Sequence, residues 1–174
     1  MKGNIVLIGM PGSGKSTLAR MLSNSLRIPM VDLDTEIKTF TQKEISELFE
    51  IGESHFRDIE TQVAKKFAMK KPLIISTGGG IILREENMRA LQEHGVVVFL
   101  NRSIENISAD VQISKRPLLQ DGVHKLKKLH ADRIDLYHKY AHITIENNDS
   151  LIVALNEIIE ALNVHVQKGT ENEI

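Results

Sequence analysis

Residues 9 to 16 read Gly-Met-Pro-Gly-Ser-Gly-Lys-Ser, an instance of the pattern G-x-x-x-x-G-K-[ST]. The run Asn4 to Ile8 before it is short, apolar and β-branched. Lys15 to Arg27 after it sets Leu18, Leu22 and Leu26 at helical spacing, and Pro29 blocks continuation. A strand, a glycine-rich turn and a helix in that order form a phosphate cradle. The glycines let successive N–H groups curl inward, and the helix N-terminus adds its partial positive charge. Lys15 can then reach β- and γ-phosphates, and the Ser16 hydroxyl can ligate Mg²⁺. The motif therefore fixes the first strand and first helix, and points to a nucleotide.

The rest of the chain repeats the alternation. Met30 to Leu33, Leu73 to Ser76, Val96 to Leu100 and His142 to Ile145 read as strands, with Val96 to Leu100 the most apolar and central. Between them, Thr41-Gln42-Lys43-Glu44 fits a capping box before Ile45, Leu48 and Phe49, with a helix stop at Gly52. Glu53 to Lys70 carries Phe56, Ile59, Val63 and Phe67 at helical spacing. A helix at Arg84 to His94 closes at Gly95. Ser103 caps another, and Asp121 caps one reaching Tyr140. Leu151 to Val166 is amphipathic through Ile152, Leu155, Ile159 and Leu162. Short apolar strands joined by helices predict an α/β fold, a parallel sheet of about five strands covered on both faces. The 174 residues suit one domain, 1–166, followed by a polar tail at 167–174. The irregular stretch Lys115 to Gly122 reads as a mobile loop, part of a lid expected near 107–122.

Composition narrows the function. A net charge of -1 and aromatic content of 4% argue against a nucleic-acid binder. The absence of cysteine excludes disulfides, thiolate catalysis and cysteine zinc sites. No apolar run approaches the ~20 residues of a membrane span, so the expectation is a cytoplasmic protein acting on a small molecule, as a monomer. His138 and His142 lie four apart, but the helix is expected to end between them, which argues against a shared metal.

No Asn-Lys-x-Asp segment is present to read guanine, and Asp-x-x-Gly is absent too, so ATP is the expected nucleotide. The third strand ends in Ser76 where many such proteins carry a metal-holding aspartate. Asp32 and Asp34, two apart at the end of the second strand, are the candidates to replace it: one for Mg²⁺, the other facing a substrate hydroxyl. Arg57 sits between Phe56 and Ile59, as a snorkelling surface group or as a ligand clamp that Glu60 could orient. Gly78-Gly79-Gly80 after a strand lets a substrate approach the backbone. Arg116-Pro117 can bring positive charge over the phosphates.

Taken in order, Gly9 to Ser16, Asp32-x-Asp34, Phe56-Arg57-x-x-Glu60, Ser76-Thr77-Gly78-Gly79-Gly80, Arg116-Pro117-Leu118-Leu119 and Arg133 in Arg133-Ile134-Asp135-Leu136-Tyr137 resemble the shikimate kinase family. The resemblance runs from Ile5 to about Ile145. It implies a P-loop kinase, a three-layer α/β/α sandwich that moves the γ-phosphate of ATP to the 3-hydroxyl of shikimate. It implies that Gly12, Ser13, Gly14, Lys15, Ser16, Thr17 and Arg116 hold the nucleotide, with Lys15 and Arg116 acting on the moving phosphate. Asp34 is then the general base, and Arg57 and Arg133 hold the shikimate carboxylate. Gly78, Gly79 and Gly80 line the ring, Phe49 and Phe56 form an apolar wall, and Ser16 and Asp32 place Mg²⁺. The alternatives are another small-metabolite kinase, such as a gluconate kinase, and a non-catalytic nucleotide-binding module. The chain departs from the family at Ile107-Ser108-Ala109-Asp110-Val111, which lacks an arginine the family usually packs on adenine.

Overall fold

In a computed structural model, residues 3–113 and 119–171 of the chain are described. Five strands form one parallel sheet: β1 (Asn4–Ile8), β2 (Met30–Asp32), β3 (Ile74–Ser76), β4 (Gly95–Asn101) and β5 (Ile143–Glu146). Their spatial order is β2-β3-β1-β4-β5, so β1 is the central strand and β4 its neighbour. Eight helices cover the sheet: α1 (Lys15–Leu26), α2 (Leu33–Thr41), α3 (Ile45–Ile51), α4 (Glu53–Ala68), α5 (Glu85–Glu93), α6 (Ile104–Ile113), α7 (Leu119–Tyr140) and α8 (Leu151–Glu171).

The period of two along each strand divides the core. Ile5, Leu7, Ile74, Val98 and Leu100 face α1 and α8, where Leu18, Leu22, Ala154, Ile158 and Leu162 are buried. Val6, Ile8, Ile75, Val97 and Phe99 face the other layer, where Phe56, Ile59, Val63 and Phe67 of α4 meet Met88 and Leu91 of α5. Each fully buried aliphatic side chain contributes about 1.5–3 kcal/mol, so neither layer can be peeled off cheaply. The connections from the neighbouring strands β1 and β3 run to opposite edges of the parallel sheet: β1 leads through α1 on one face to β2, while β3 leads through α5 on the other face to β4. Such a switch point opens a crevice at the strands' carboxyl ends, which places Gly9 and Thr77 at its floor.

Several expected boundaries move. Leu33 begins α2 rather than ending β2, and α2 runs to Thr41, a helix that periodicity missed. The capping box lies three residues later than expected: Glu47 accepts from the Glu44 N–H at 2.7 Å, because Thr41 is still closing α2. Gly95 is the first residue of β4, and His94 caps α5. Ser103 caps α6 as expected, accepting from the Asn106 N–H at 3.2 Å. α7 is already under way at Leu119, so Asp121 is not its cap and 119–122 is helix rather than irregular loop. Ile152 is 64% exposed, and the buried stripe of α8 is Ala154, Ile158 and Leu162. α8 continues to Glu171, through part of the expected tail. Arg116 and Pro117 lie outside the described residues. No helix among the described residues is long and apolar enough to cross a membrane.

Candidate active site

A cleft of about 620 Å³ lies over the carboxyl ends of β1, β2 and β3. Pro11, Gly12, Gly14, Lys15, Ser16 and Thr17 line its middle, and Asp32, Asp34, Thr77, Gly78 and Gly79 one end. Arg102, Asp110, Asn147, Asp149 and Leu151 line the other.

The cradle takes the form its sequence requires. Gly14, at φ 91°, turns the chain into α1 in a region open to glycine and costly for other residues. The loop's carbonyls are drawn outward by side chains from distant elements. Asn147 Nδ2 donates to the Ser13 carbonyl at 2.8 Å, and Arg102 Nη1 to that of Gly12 at 3.1 Å. Lys15 Nζ donates to the carbonyls of Gly9 (2.9 Å) and Met10 (2.8 Å). Burial pulls the Lys15 ammonium down to about 8, against the opposing pull of Asp34 and Asp32.

Asp32 and Asp34 reach the cleft by a route different from the expected one. They do not alternate along a strand. Asp32 closes β2 and caps α2, its Oδ1 accepting from the Thr35 N–H at 3.3 Å, and Asp34 stands in the first turn of α2. The expected vacancy at Ser76 is resolved by register. Asp32 pairs with Ser76 across the β2–β3 ladder. Asp32 Oδ2 accepts from Ser16 Oγ at 2.7 Å and from Ser76 Oγ at 3.0 Å. The carboxylate that β3 lacks is thus supplied by the next strand at the same level. Asp34 is half-buried. Its carboxyl is pushed up by burial and by Asp32, and held back by Lys15, Lys38 and Arg57.

Arg57 is not a snorkelling surface group. It is 8% exposed, and Nη1 donates to Glu60 Oε2 at 2.6 Å, with Glu60 itself buried. Its guanidinium lies 5.0 Å from the Phe56 ring centroid and 5.7 Å from that of Phe49. These two rings stack at 4.4 Å, Phe49 outermost at 40% exposure. Arg57 Nε is buried with no partner among the described residues. The Gly78-Gly79-Gly80 turn fits between these groups because it has no side chains. A Cβ on Gly78 would come within 2.9 Å of Asp34 Oδ1, and one on Gly79 within 2.7 Å of Pro11 Cδ. One on Gly80 would fall 2.7 Å from Arg57 Cζ. Arg133, on α7, acts electrostatically on Lys15, Glu60 and Tyr137, which places it at the same end.

Sequence reasoning missed Arg102, Asn147, Asp149, Leu151 and Thr77. The signal was positional: each follows the carboxyl end of a parallel strand, where ligands collect. Ala109 is exposed and Ser108 Oγ is buried without a partner among the described residues, whereas Arg102 pairs with Asp110 at 2.8 Å inside the cleft. Asp110 is therefore neutralised rather than facing the cradle as a bare charge. His138 packs edge-on against Phe99, and His142 Nδ1 accepts the Val97 N–H at 2.9 Å. Among the described residues no group of three histidine, aspartate or glutamate side chains is placed to hold a metal ion.

A nucleotide cradle opening directly onto a half-buried carboxylate and a buried arginine, on a five-stranded parallel sheet, defines a P-loop kinase of the kind that phosphorylates small molecules. The comparisons narrow this class. A family model for shikimate kinase matches residues 11–163. The shikimate kinase of Clostridium beijerinckii is 43% identical over 93% of this chain and 96% of its own. The structure of a shikimate kinase from Acinetobacter baumannii in complex with shikimate superposes with a TM-score of 0.83 at 35% identity, over 95% of this chain and 94% of that one. A gluconokinase from Sinorhizobium meliloti, 14% identical with a TM-score of 0.59 over 94% of this chain and 97% of that one, shares the fold alone. The chain belongs to the shikimate kinase family, whose members are ATP-dependent kinases.

Proposed function

We propose that the protein transfers the γ-phosphate of ATP to the 3-hydroxyl of shikimate. The observation that carries the reading is the meeting of three groups at one end of the cleft. These are the Asp34 carboxylate, the buried Arg57 with its unpartnered Nε, and the side-chain-free turn at 78–80. A small rigid carboxylate suits arginine donors, which bind it bidentately. Family membership favours this acceptor over gluconate, and the buried acceptor-side charges argue against a non-catalytic module, which has no need of them.

In this reading Arg57 and Arg133 hold the substrate carboxylate, Gly78 to Gly80 and the Phe49–Phe56 wall cover the ring, and the hydroxyl faces Asp34. The hydroxyl proton passes to Asp34 as the new O–P bond forms and the bond from Pγ to the ADP oxygen breaks. Lys15 leaves the Gly9 and Met10 carbonyls for the β- and γ-phosphates, where charge grows in the transition state. Arg116 is assigned to the same phosphates on the family resemblance. Gly12 to Thr17 hold the triphosphate. The nucleoside falls to the end formed by Arg102, Asn147, Asp149 and Leu151, since the opposite end is taken by the acceptor. Arg102 there stands in for the cation absent from 108–110.

The oxygen set of Ser16, Asp32 and Ser76, within 3.2 Å of one another, suits a hard cation that keeps several waters. Ser16 and Asp32 would hold Mg²⁺, which supplies charge neutralisation on the phosphates. Cleft residues range from Pro11 to Leu151 in one chain, which supports a single kinase domain over 1–166; in this reading it acts as a monomer in the cytoplasm.

The test is ADP release by a coupled assay with shikimate, quinate and gluconate as acceptors. Turnover is expected with shikimate at least tenfold above the other two. Equal turnover with gluconate, or ADP release independent of acceptor, would overturn the assignment.

A further inference from the structure

α7 contributes a second residue to the acceptor end, four positions after Arg133. Tyr137 is fully buried, its ring stacked on Phe99 with centroids 5.0 Å apart and planes 13° apart. Its Oη donates to the Gly79 carbonyl at 2.6 Å and lies 3.9 Å from Met10 Sδ, and the Arg133 charge acts on the phenol from one turn earlier on the same helix. One hydroxyl therefore joins the helix of the carboxylate-side arginine to the middle of the triglycine turn, beside the start of the nucleotide loop. A Cβ on Gly79 would also fall 2.7 Å from Pro11 Cδ of that loop, so the turn lies directly against it.

We propose that Tyr137 is a positioning residue. Its hydroxyl pins the Gly79 carbonyl to α7, the helix that carries Arg133, so that one element sets both the surface under the acceptor and the group that holds its carboxylate against the nucleotide loop. The inference rests on the reading of shikimate as acceptor. Drawing the Gly79 carbonyl toward Tyr137 turns the Gly80 N–H of the same trans peptide the opposite way, which fixes the face the turn offers to a ligand. Glycines have no side chain to hold a peptide plane, so an outside donor must do it. In-line transfer tolerates little misplacement: an error of about 1 Å can cost about 100-fold in rate. Burial holds the phenol up at about 12, so it remains a donor throughout the working range.

Tyr137→Phe removes the hydroxyl and leaves the stack on Phe99. The expected result is a split: shikimate KM raised severalfold and kcat lowered about tenfold, with ADP affinity within twofold of wild type. A purely structural role would lower the melting temperature without that split. Wild-type KM and kcat for shikimate in the variant, or an equal loss of ADP affinity, would overturn the proposal. A second measurement avoids any folding defect. The chain has two tyrosines, and replacing both biosynthetically with difluorotyrosine acidifies the phenol while preserving shape. Once ionised, Tyr137 cannot donate to Gly79, so kcat/KM for shikimate should acquire an alkaline limb at lower pH than in the native enzyme. Superimposable profiles would overturn the proposal. A wild-type protein inactive on shikimate would instead refute the acceptor assignment.

Discussion

Raising the pH from 7 to 9 should titrate Lys15 in the free protein and leave it charged in the nucleotide complex. Its ammonium has carbonyl partners from Gly9 and Met10 and is buried, so its proton is held only to about pH 8. In the complex, phosphate oxygens replace those carbonyls, and adjacent negative charge restores the ordinary preference for the charged form. With the free value near 8, about half of Lys15 is neutral at pH 8 and about a tenth at pH 7. ADP binding should therefore take up about half a proton at pH 8 and about a tenth at pH 7. Titration calorimetry in two buffers of different ionisation enthalpy reads that number directly. Affinity should fall as pH rises above 8, approaching tenfold per unit. The sign for stability is opposite. The folded state binds fewer protons than the unfolded chain between about 8 and 10.5, so this group's contribution to free-protein stability rises with pH across that window and is missing below it. Lys15→Met should abolish the uptake. Proton uptake near zero at pH 8, with wild-type protein saturated by ADP, would refute the reasoning.

Arg57→Lys and Arg133→Ala should each raise the shikimate KM about tenfold, a loss of about 1.4 kcal/mol, with ATP KM little changed; steady-state kinetics checks this. Arg102→Ala should weaken ATP binding between about 2- and 30-fold, the range for a guanidinium over an aromatic base, while tripolyphosphate binding falls much less. Ala109→Arg should change little, since Ala109 is exposed and Arg102 already occupies the cleft. The acid limb of kcat/KM for shikimate should lie above the ordinary aspartate range, because the base must be ionised and burial with Asp32 raises Asp34.

The layers of this fold were legible because they follow from apolar period alone. Strand-like runs, the P-loop and the α4 stripe of Phe56, Ile59, Val63 and Phe67 all come from local pattern. α2 was not legible because its first turn, Leu33-Asp34-Thr35-Glu36, continues directly from β2 with no intervening turn residue. In the site, motif residues were legible one at a time, but their meeting depended on long-range register. Asp32 serves the cradle because β2 pairs with β3 at Ser76. Arg102 and Asn147 serve it because β4 ends beside β1 and β5 beside β4. Tyr137 reads as a core aromatic in sequence, and only its 2.6 Å contact with the Gly79 carbonyl gives it another role.

The central claim is that one cleft joins a nucleotide loop to a base at Asp34. Asp34→Asn tests it most directly, with ADP affinity and shikimate-dependent kcat measured on the same preparation. A general base contributes about 10²–10⁴-fold. The account predicts a loss of kcat in that range with ADP affinity unchanged within about twofold. An Asn variant that keeps a third of wild-type kcat would contradict it.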